Sequence, residues 1–196
     1  MLPDVLRVIK KVTEALDQKG ISYLIGGSVA SSTLGKYRFT NDIDFVVDLS
    51  SESVSGLSAA LGSEFYMDAD LALEAVLHRS SFSILHLDTM VKADLFIRPV
   101  NAWSDMAWNR RKVQTLKNSE QLVDVYVRSA EDMILQKLHW YKLGREVSDR
   151  QWGDVVGMLE VQADVLDYSY LETWATTINV DELLHRAFAE AGIGKT

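Results

Sequence analysis

Asp42 and Asp44 stand two residues apart in Thr40-Asn41-Asp42-Ile43-Asp44-Phe45-Val46-Val47, downstream of the small-residue run Gly26-Gly27-Ser28. Residues i and i+2 of a strand share a face, so both carboxylates project one way while Ile43, Phe45 and Val47 point into a core. Two carboxylates side by side repel unless a cation lies between them. The glycine run precedes Val29 to Leu34, which reads as a helix, and backbone N–H groups at such a helix start can cradle phosphate oxygens. A third carboxylate, Asp94, sits in Val91-Lys92-Ala93-Asp94-Leu95-Phe96-Ile97, whose alternation puts it opposite Val91, Ala93, Leu95 and Ile97. If the two strands are neighbours, the three carboxylates make a hard oxygen site suited to Mg²⁺ or Mn²⁺. Asp94 is also placed to take the proton of an attacking hydroxyl.

The aspartate pair alone is weak evidence. With 17 Asp in 196 residues, about one or two such triplets arise by chance. Asp68-Ala69-Asp70 is a second one, and it precedes the helical pattern Leu71 to His78, where it serves as an N-cap and first-turn charge. Only Asp42 and Asp44 come with a glycine turn and a third carboxylate.

Positioning these groups requires a sheet flanked by helices. A helix is expected over Pro3 to Gln18, ending at Gly20, followed by a strand at Ile21 to Ile25, the motif helix, and a strand from Asp42 to Leu49. A polar break at Ser50 to Ser53 leads to a helix ending near Gly62. Phe82 to Leu87 and Val91 to Arg98 read as a hairpin around Asp88-Thr89. A short helix at Ala102 to Asn109 and strands at Lys112 to Leu116 and Leu122 to Val127 follow. From Ala130 the pattern is helical, with capping boxes at Ser129-Ala130-Glu131-Asp132 and Ser148-Asp149-Arg150-Gln151. The expectation is an α/β (α+β) fold: a mixed sheet flanked by helices over residues 1–128 and a helical part over 129–196.

The ordered set Gly26-Gly27-Ser28, Gly35, Arg38, Thr40, Asp42-Ile43-Asp44 and Asp94 resembles the nucleotidyltransferase superfamily typified by DNA polymerase beta. Within it the set is most similar to small bacterial proteins grouped with the AbiEii/AbiGii toxins. The resemblance spans roughly residues 20 to 160 and is far more specific than any one motif. It implies that Gly26, Gly27, Ser28, Arg38 and Thr40 contact a nucleoside triphosphate, that Asp42, Asp44 and Asp94 hold Mg²⁺ or Mn²⁺ and carry catalysis, and that Lys137 meets phosphate. Asp154 matches an aspartate of the family's helical part.

Composition sets limits. The chain has 47% hydrophobic residues and no cysteine, which allows a sizeable core and excludes disulfides, thiolate zinc sites and cysteine nucleophiles. No apolar run reaches 18 residues and no signal-like segment opens the chain, so the expectation is a cytoplasmic protein without a membrane partner. A net charge of −8 disfavours sequence-independent nucleic-acid binding. A local patch is the exception to consider: Arg98, Arg110, Arg111, Lys112 and Lys117 with Trp103 and Trp108. His78, His86, His139 and His185 show no paired metal-ligand spacing.

The expected activity is metal-dependent transfer of a nucleoside monophosphate from a triphosphate to a hydroxyl, releasing pyrophosphate. The acceptor is open among a small molecule, tRNA and protein. The alternatives are a nucleotide- or partner-binding module without turnover, and the toxin of a pair with a cognate antitoxin.

Overall fold

A computed structural model describes residues 2–36, 43–119 and 121–194. The chain divides into two compact units, Met1–Val29 with Phe39–Val127, and Ala30–Arg38 with Arg128–Thr196.

The first unit begins with α1 (Pro3–Gln18), which has proline in its first turn and Asp4 beside it at the positive end of the helix dipole. Val5, Val8, Ile9, Val12 and Leu16 form its buried stripe. Gly20, at φ 64°, then turns the chain into β1 (Tyr23–Ile25). Next come the start of α2 (Gly27–Leu34), β2 (Ile43–Val47) and α3 (Val54–Leu61). They are followed by β3 (Phe65–Met67), α4 (Ala69–His78), β4 (Ser81–His86), β5 (Val91–Ile97), α5 (Ala102–Asn109), β6 (Lys112–Lys117) and β7 (Leu122–Val127). The strands form one mixed sheet in the order β3-β4-β5-β2-β1-β7-β6. β1 pairs antiparallel with β2 and parallel with β7, and β2 pairs parallel with β5.

The core lies between one sheet face and the helices. Phe45, Leu95 and Ile84 from neighbouring strands are essentially inaccessible and cluster with Leu6, Ile9 and Leu57 from α1 and α3. Burying a phenyl ring such as Phe45 stabilises by about 1.5–3 kcal/mol. The same alternation leaves Asp44 and Asp94 on the opposite face, both only partly buried.

The second unit packs α6 (Ala130–Leu143), α7 (Asp149–Gln162), α8 (Tyr168–Thr177) and α9 (Asp181–Glu190). Ser129 and Ser148 cap α6 and α7 by accepting from the backbone N–H of Asp132 and Gln151. The Tyr170 hydroxyl donates to Asp132 at 2.6 Å. Gln162 ties α7 to the end of α2 by donating to the Leu34 carbonyl at 2.7 Å. Arg128 is buried in this unit, and burial pulls its guanidinium below the usual range while the Asp132 charge acts against that.

Three elements differ from expectation. β1 is confined to Tyr23–Ile25, because Ile21 N–H is spent on the Leu16 carbonyl in closing α1. The strand expected from Asp42 to Leu49 runs over Ile43–Val47, and Asp42 lies outside the described residues. β3 has only three residues after a one-turn 3₁₀ helix, Gly62–Glu64, too few for alternation to announce it.

Candidate active site

β2 and β5 run parallel in direct register, with Ile43 opposite Ala93, Asp44 opposite Asp94 and Phe45 opposite Leu95. Neighbouring strands lie about 4.8 Å apart, so the two carboxylates leave adjacent positions on one face. The apolar neighbours force this orientation, because turning either strand over would bury a carboxylate and expose Phe45 or Leu95.

Asp94 is further fixed by its other neighbours. Ser83, opposite it on β4, donates from Oγ to Asp94 Oδ1 at 2.5 Å. Lys92 places Nζ 2.8 Å from Oδ2. Each oxygen keeps a further lone pair. The sheet face therefore carries the row Asp44, Asp94, Ser83 across three strands.

The glycine turn closes onto this row. Gly26 N–H donates to the Asp44 carbonyl at 2.9 Å. Gly27 adopts φ 56°, a left-handed conformation that favours glycine. A Cβ at residue 27 would lie 1.7 Å from Asp44 Oδ2, so the Gly27 backbone occupies the place of a side chain. α2 starts at this residue, so the N-terminal end of the helix lies beside the Asp44 carboxylate. Ser28 is buried directly behind.

Two in-register carboxylates supply hard oxygen donors of the kind Mg²⁺ or Mn²⁺ takes. Lacking a side chain, Gly27 lets the start of α2 lie directly against the Asp44 carboxylate. Asp44 and Asp94 are donors of the type such an ion takes, so the residues present fit it.

Among the other expected site residues, Arg38, Thr40 and Asp42 lie outside the described residues. Lys137 belongs to the second unit, where its Nζ donates to Asp154 at 2.8 Å and both side chains are nearly buried. The basic cluster is largely engaged in the fold. Arg98 and Arg111 each lie over the Trp108 ring, at 4.8 and 4.9 Å, and Arg111 also lies over Tyr126 at 5.2 Å. Arg98 pairs with Asp48 and Asp105 as well. Trp108 is thus buried and unavailable for stacking on a base. Asp68 caps α4, accepting from the N–H groups of Asp70 and Leu71 at 3.0 Å.

One grouping was not foreseen. Glu64, His86 and Asp88 bring potential ligand atoms within 4.8 Å of one another. His86 is buried, with Nδ1 2.8 Å from the Thr89 hydroxyl. Glu64 is bonded to Lys11, which holds its carboxyl below the usual range. Only the β3–β4 register, in which Phe65 faces His86, brings these residues together, so spacing along the chain carries no signal for them.

Three solved structures superpose on nearly the whole chain. The antibiotic-resistance factor ANT(2'')-Ia in solution aligns with TM-score 0.54 and 16% identity, covering 97% of this chain and 96% of its own. A nucleotidyltransferase-like protein from Paracoccidioides brasiliensis aligns with TM-score 0.56 and 18% identity over 95% of this chain and 93% of its own. ANT(2'')-Ia in complex with adenylyl-2''-tobramycin gives TM-score 0.56 and 17% identity over 91% and 98%. The fold is that of nucleotidyltransferases. No family model and no curated protein matches the sequence. Among the described residues, no helix of this nucleotidyltransferase fold is long and apolar enough to cross a membrane.

Proposed function

We propose that this chain is a metal-dependent nucleotidyltransferase that moves a nucleoside monophosphate from a triphosphate to a hydroxyl on a small molecule. The observation that carries this reading is the direct register of Asp44 and Asp94, with the Gly27 backbone against the Asp44 carboxylate. The complex of ANT(2'')-Ia with adenylyl-2''-tobramycin supports a small-molecule acceptor. Asp44, Asp94 and Asp42 would hold Mg²⁺ or Mn²⁺, which when bound would supply polarisation of the phosphoryl oxygens and offset the triphosphate charge. The N–H groups at Gly27 and Ser28 hold phosphate oxygens, and Arg38 and Thr40 belong to the same nucleotide contact. The acceptor hydroxyl oxygen bonds to the α-phosphorus while the bond to the β-phosphate bridging oxygen breaks. Asp94 takes the hydroxyl proton, and pyrophosphate leaves with the electron pair of the broken bond. Ser83 and Lys92 keep the Asp94 carboxylate oriented for that transfer. Lys137 is accounted for by its ion pair with Asp154 without a nucleotide.

The test is equilibrium binding of ATP and GTP with and without Mn²⁺, followed by pyrophosphate release in the presence of hydroxyl acceptors. Metal-dependent binding supports the proposal, and metal-independent or absent binding refutes it. The motif order also resembles the AbiEii/AbiGii toxins. Growth arrest on expression, relieved by a neighbouring gene product, would assign the acceptor to tRNA or protein and add an antitoxin partner. An enzyme that consumes nucleoside triphosphates meets its substrate in the cytoplasm.

A further inference from the structure

Glu64, His86 and Asp88 come from three separate segments: the 3₁₀ turn Gly62–Glu64, the last residue of β4 and the turn joining β4 to β5. Each offers one potential ligand atom, and these atoms lie within 4.8 Å of one another. His86 shares the core face of β4 with Phe82 and Ile84, whereas Ser83 meets Asp94 on the other face of the sheet. The grouping is therefore separate from the Asp44–Asp94 pair.

We infer that Glu64, His86 and Asp88 form a structural metal site for Zn²⁺ or a similar borderline transition ion, clamping β3 to the end of β4. The inference goes beyond the nucleotidyl-transfer reading and does not depend on it.

The buried imidazole carries the argument. His86 is inaccessible to solvent, and among the described residues its Nε2 has no hydrogen-bond partner. An orphaned polar atom in the interior is costly, and an unseen ion is one of the few things that explains it. Nδ1 is already taken, since it lies 2.8 Å from the Thr89 hydroxyl. With the proton on Nδ1 and donated to Thr89, the Nε2 lone pair is left for an ion, the usual arrangement of a ligating histidine.

Two carboxylates meet this ring. Asp88 is exposed, and its side chain makes no hydrogen bond or ion pair among the described residues. Lys11 bonds Glu64 through Oε2, which leaves Oε1 for an ion. That pair is 32% and 51% exposed, so it is weak and gives way to a metal–carboxylate bond.

The backbone holds the ligands in place. Leu87 N–H donates to the Glu64 carbonyl and Met90 N–H to the His86 carbonyl, both at 2.9 Å. The Phe65 ring packs against the imidazole at 4.9 Å and fixes its plane. Only the exposed Glu64 and Asp88 side chains have to rotate to reach the bond length of about 2.0–2.2 Å that Zn²⁺ takes, with water in the fourth position. One imidazole beside two carboxylates favours Zn²⁺ over Mg²⁺ and Ca²⁺, which prefer all-oxygen sites. β3 is a three-residue strand at the edge of the sheet, and a clamp at its start reinforces that short pairing.

The test is NMR of the histidine ring nitrogens in the full chain, with His86 assigned through the β4 backbone, during titration with Zn²⁺ and separately with Mg²⁺. No histidine belongs to the proposed nucleotide site, so the His86 signal reads this site alone, whatever becomes of the nucleotide-binding test. Zn²⁺ should shift His86 Nε2 saturably, and Mg²⁺ should leave it unmoved. Asp88→Asn, a change in an exposed turn, should weaken Zn²⁺ binding by about tenfold or more, at least the scale of losing a supporting residue of a metal site. Lys11→Met removes the competing ammonium and should tighten binding by about threefold, the scale of an exposed charge contact. The inference is overturned by the absence of a saturable Zn²⁺ shift at His86, by a shift confined to Nδ1, or by an equal response to Mg²⁺. It is equally overturned by a Zn²⁺ affinity that Asp88→Asn leaves unchanged or that Lys11→Met fails to raise.

Discussion

Gly27 and Asp44 meet so closely that no side chain fits at residue 27: a Cβ there would overlap the Asp44 carboxylate at 1.7 Å. Two demands coincide at one residue, a left-handed backbone and an empty side-chain position. Gly27→Ala should therefore cost about 1–2 kcal/mol from backbone strain alone and push the Asp44 carboxylate aside as well. The expected outcome is a folded protein that no longer binds Mn²⁺-ATP, with thermal melting and calorimetry as the paired measurements. Retained wild-type affinity would show that the turn does not hold the triphosphate.

The two carboxylates should separate binding from chemistry. Asp44→Asn is expected to abolish metal-dependent ATP binding. Asp94→Asn should leave ATP affinity within a few fold and lower kcat by roughly 10²-fold or more, the scale for loss of a proton acceptor. Single-turnover transfer is the measurement, and wild-type kcat in folded Asp94→Asn would reduce Asp94 to the partner of Ser83 and Lys92.

In the helical unit, the Lys137–Asp154 pair is shielded, with side chains only 11% and 12% exposed. Removing the ammonium takes a close, shielded countercharge from Asp154, so Lys137→Met should destabilise by roughly 3 kcal/mol, a Tm decrease of about 6–12 °C. Lys137→Met combined with Asp154→Leu should recover most of the loss. ATP affinity of this double variant then tests the phosphate role of Lys137, since a structural role predicts no change.

Tyr23 sets an alkaline limit. Burial, reinforced by the nearby Asp17 charge, pushes its hydroxyl up from the ordinary tyrosine value of 10.0 to about 12. Between those values the unfolded chain has released the proton while the folded chain keeps it, so stability is full below pH 10 and falls as pH rises toward 12. Tm measured across this interval should decline less steeply in Tyr23→Phe than in the wild type, and tyrosinate absorbance should show a correspondingly late-titrating tyrosine.

Long periodic elements are legible in this sequence, whereas contacts across strands are not. α1 spans Pro3–Gln18 as its stripe and proline indicate, because eight buried residues at helical spacing leave no competing reading. The faces of β2 and β5 follow from alternation alone. Their adjacency does not: nothing local tells Asp44 that Asp94 is its neighbour, and only the likeness to a known motif order suggested it. The Ser83–Asp94 bond, the stacking of Arg98 and Arg111 on Trp108, and the Glu64–His86 approach all depend on register or on long side chains folding back. β3 escapes for a different reason, since three residues contain less than two periods of any pattern.

The parallel pairing of β2 with β5 makes folding fidelity and catalysis a single constraint. The strands are joined through β3 and β4 and must find their alignment over a long stretch of chain, the kind of non-local step that is slow to form. A slip of one residue would put Leu95 opposite Asp44 and send Asp94 into the core, where an unpaired carboxylate is heavily penalised. The apolar residues behind the sheet thus proofread the chemistry in front of it. Substitutions that loosen this alignment, such as Leu95→Ala, should erode turnover at temperatures where the protein still melts as one cooperative body.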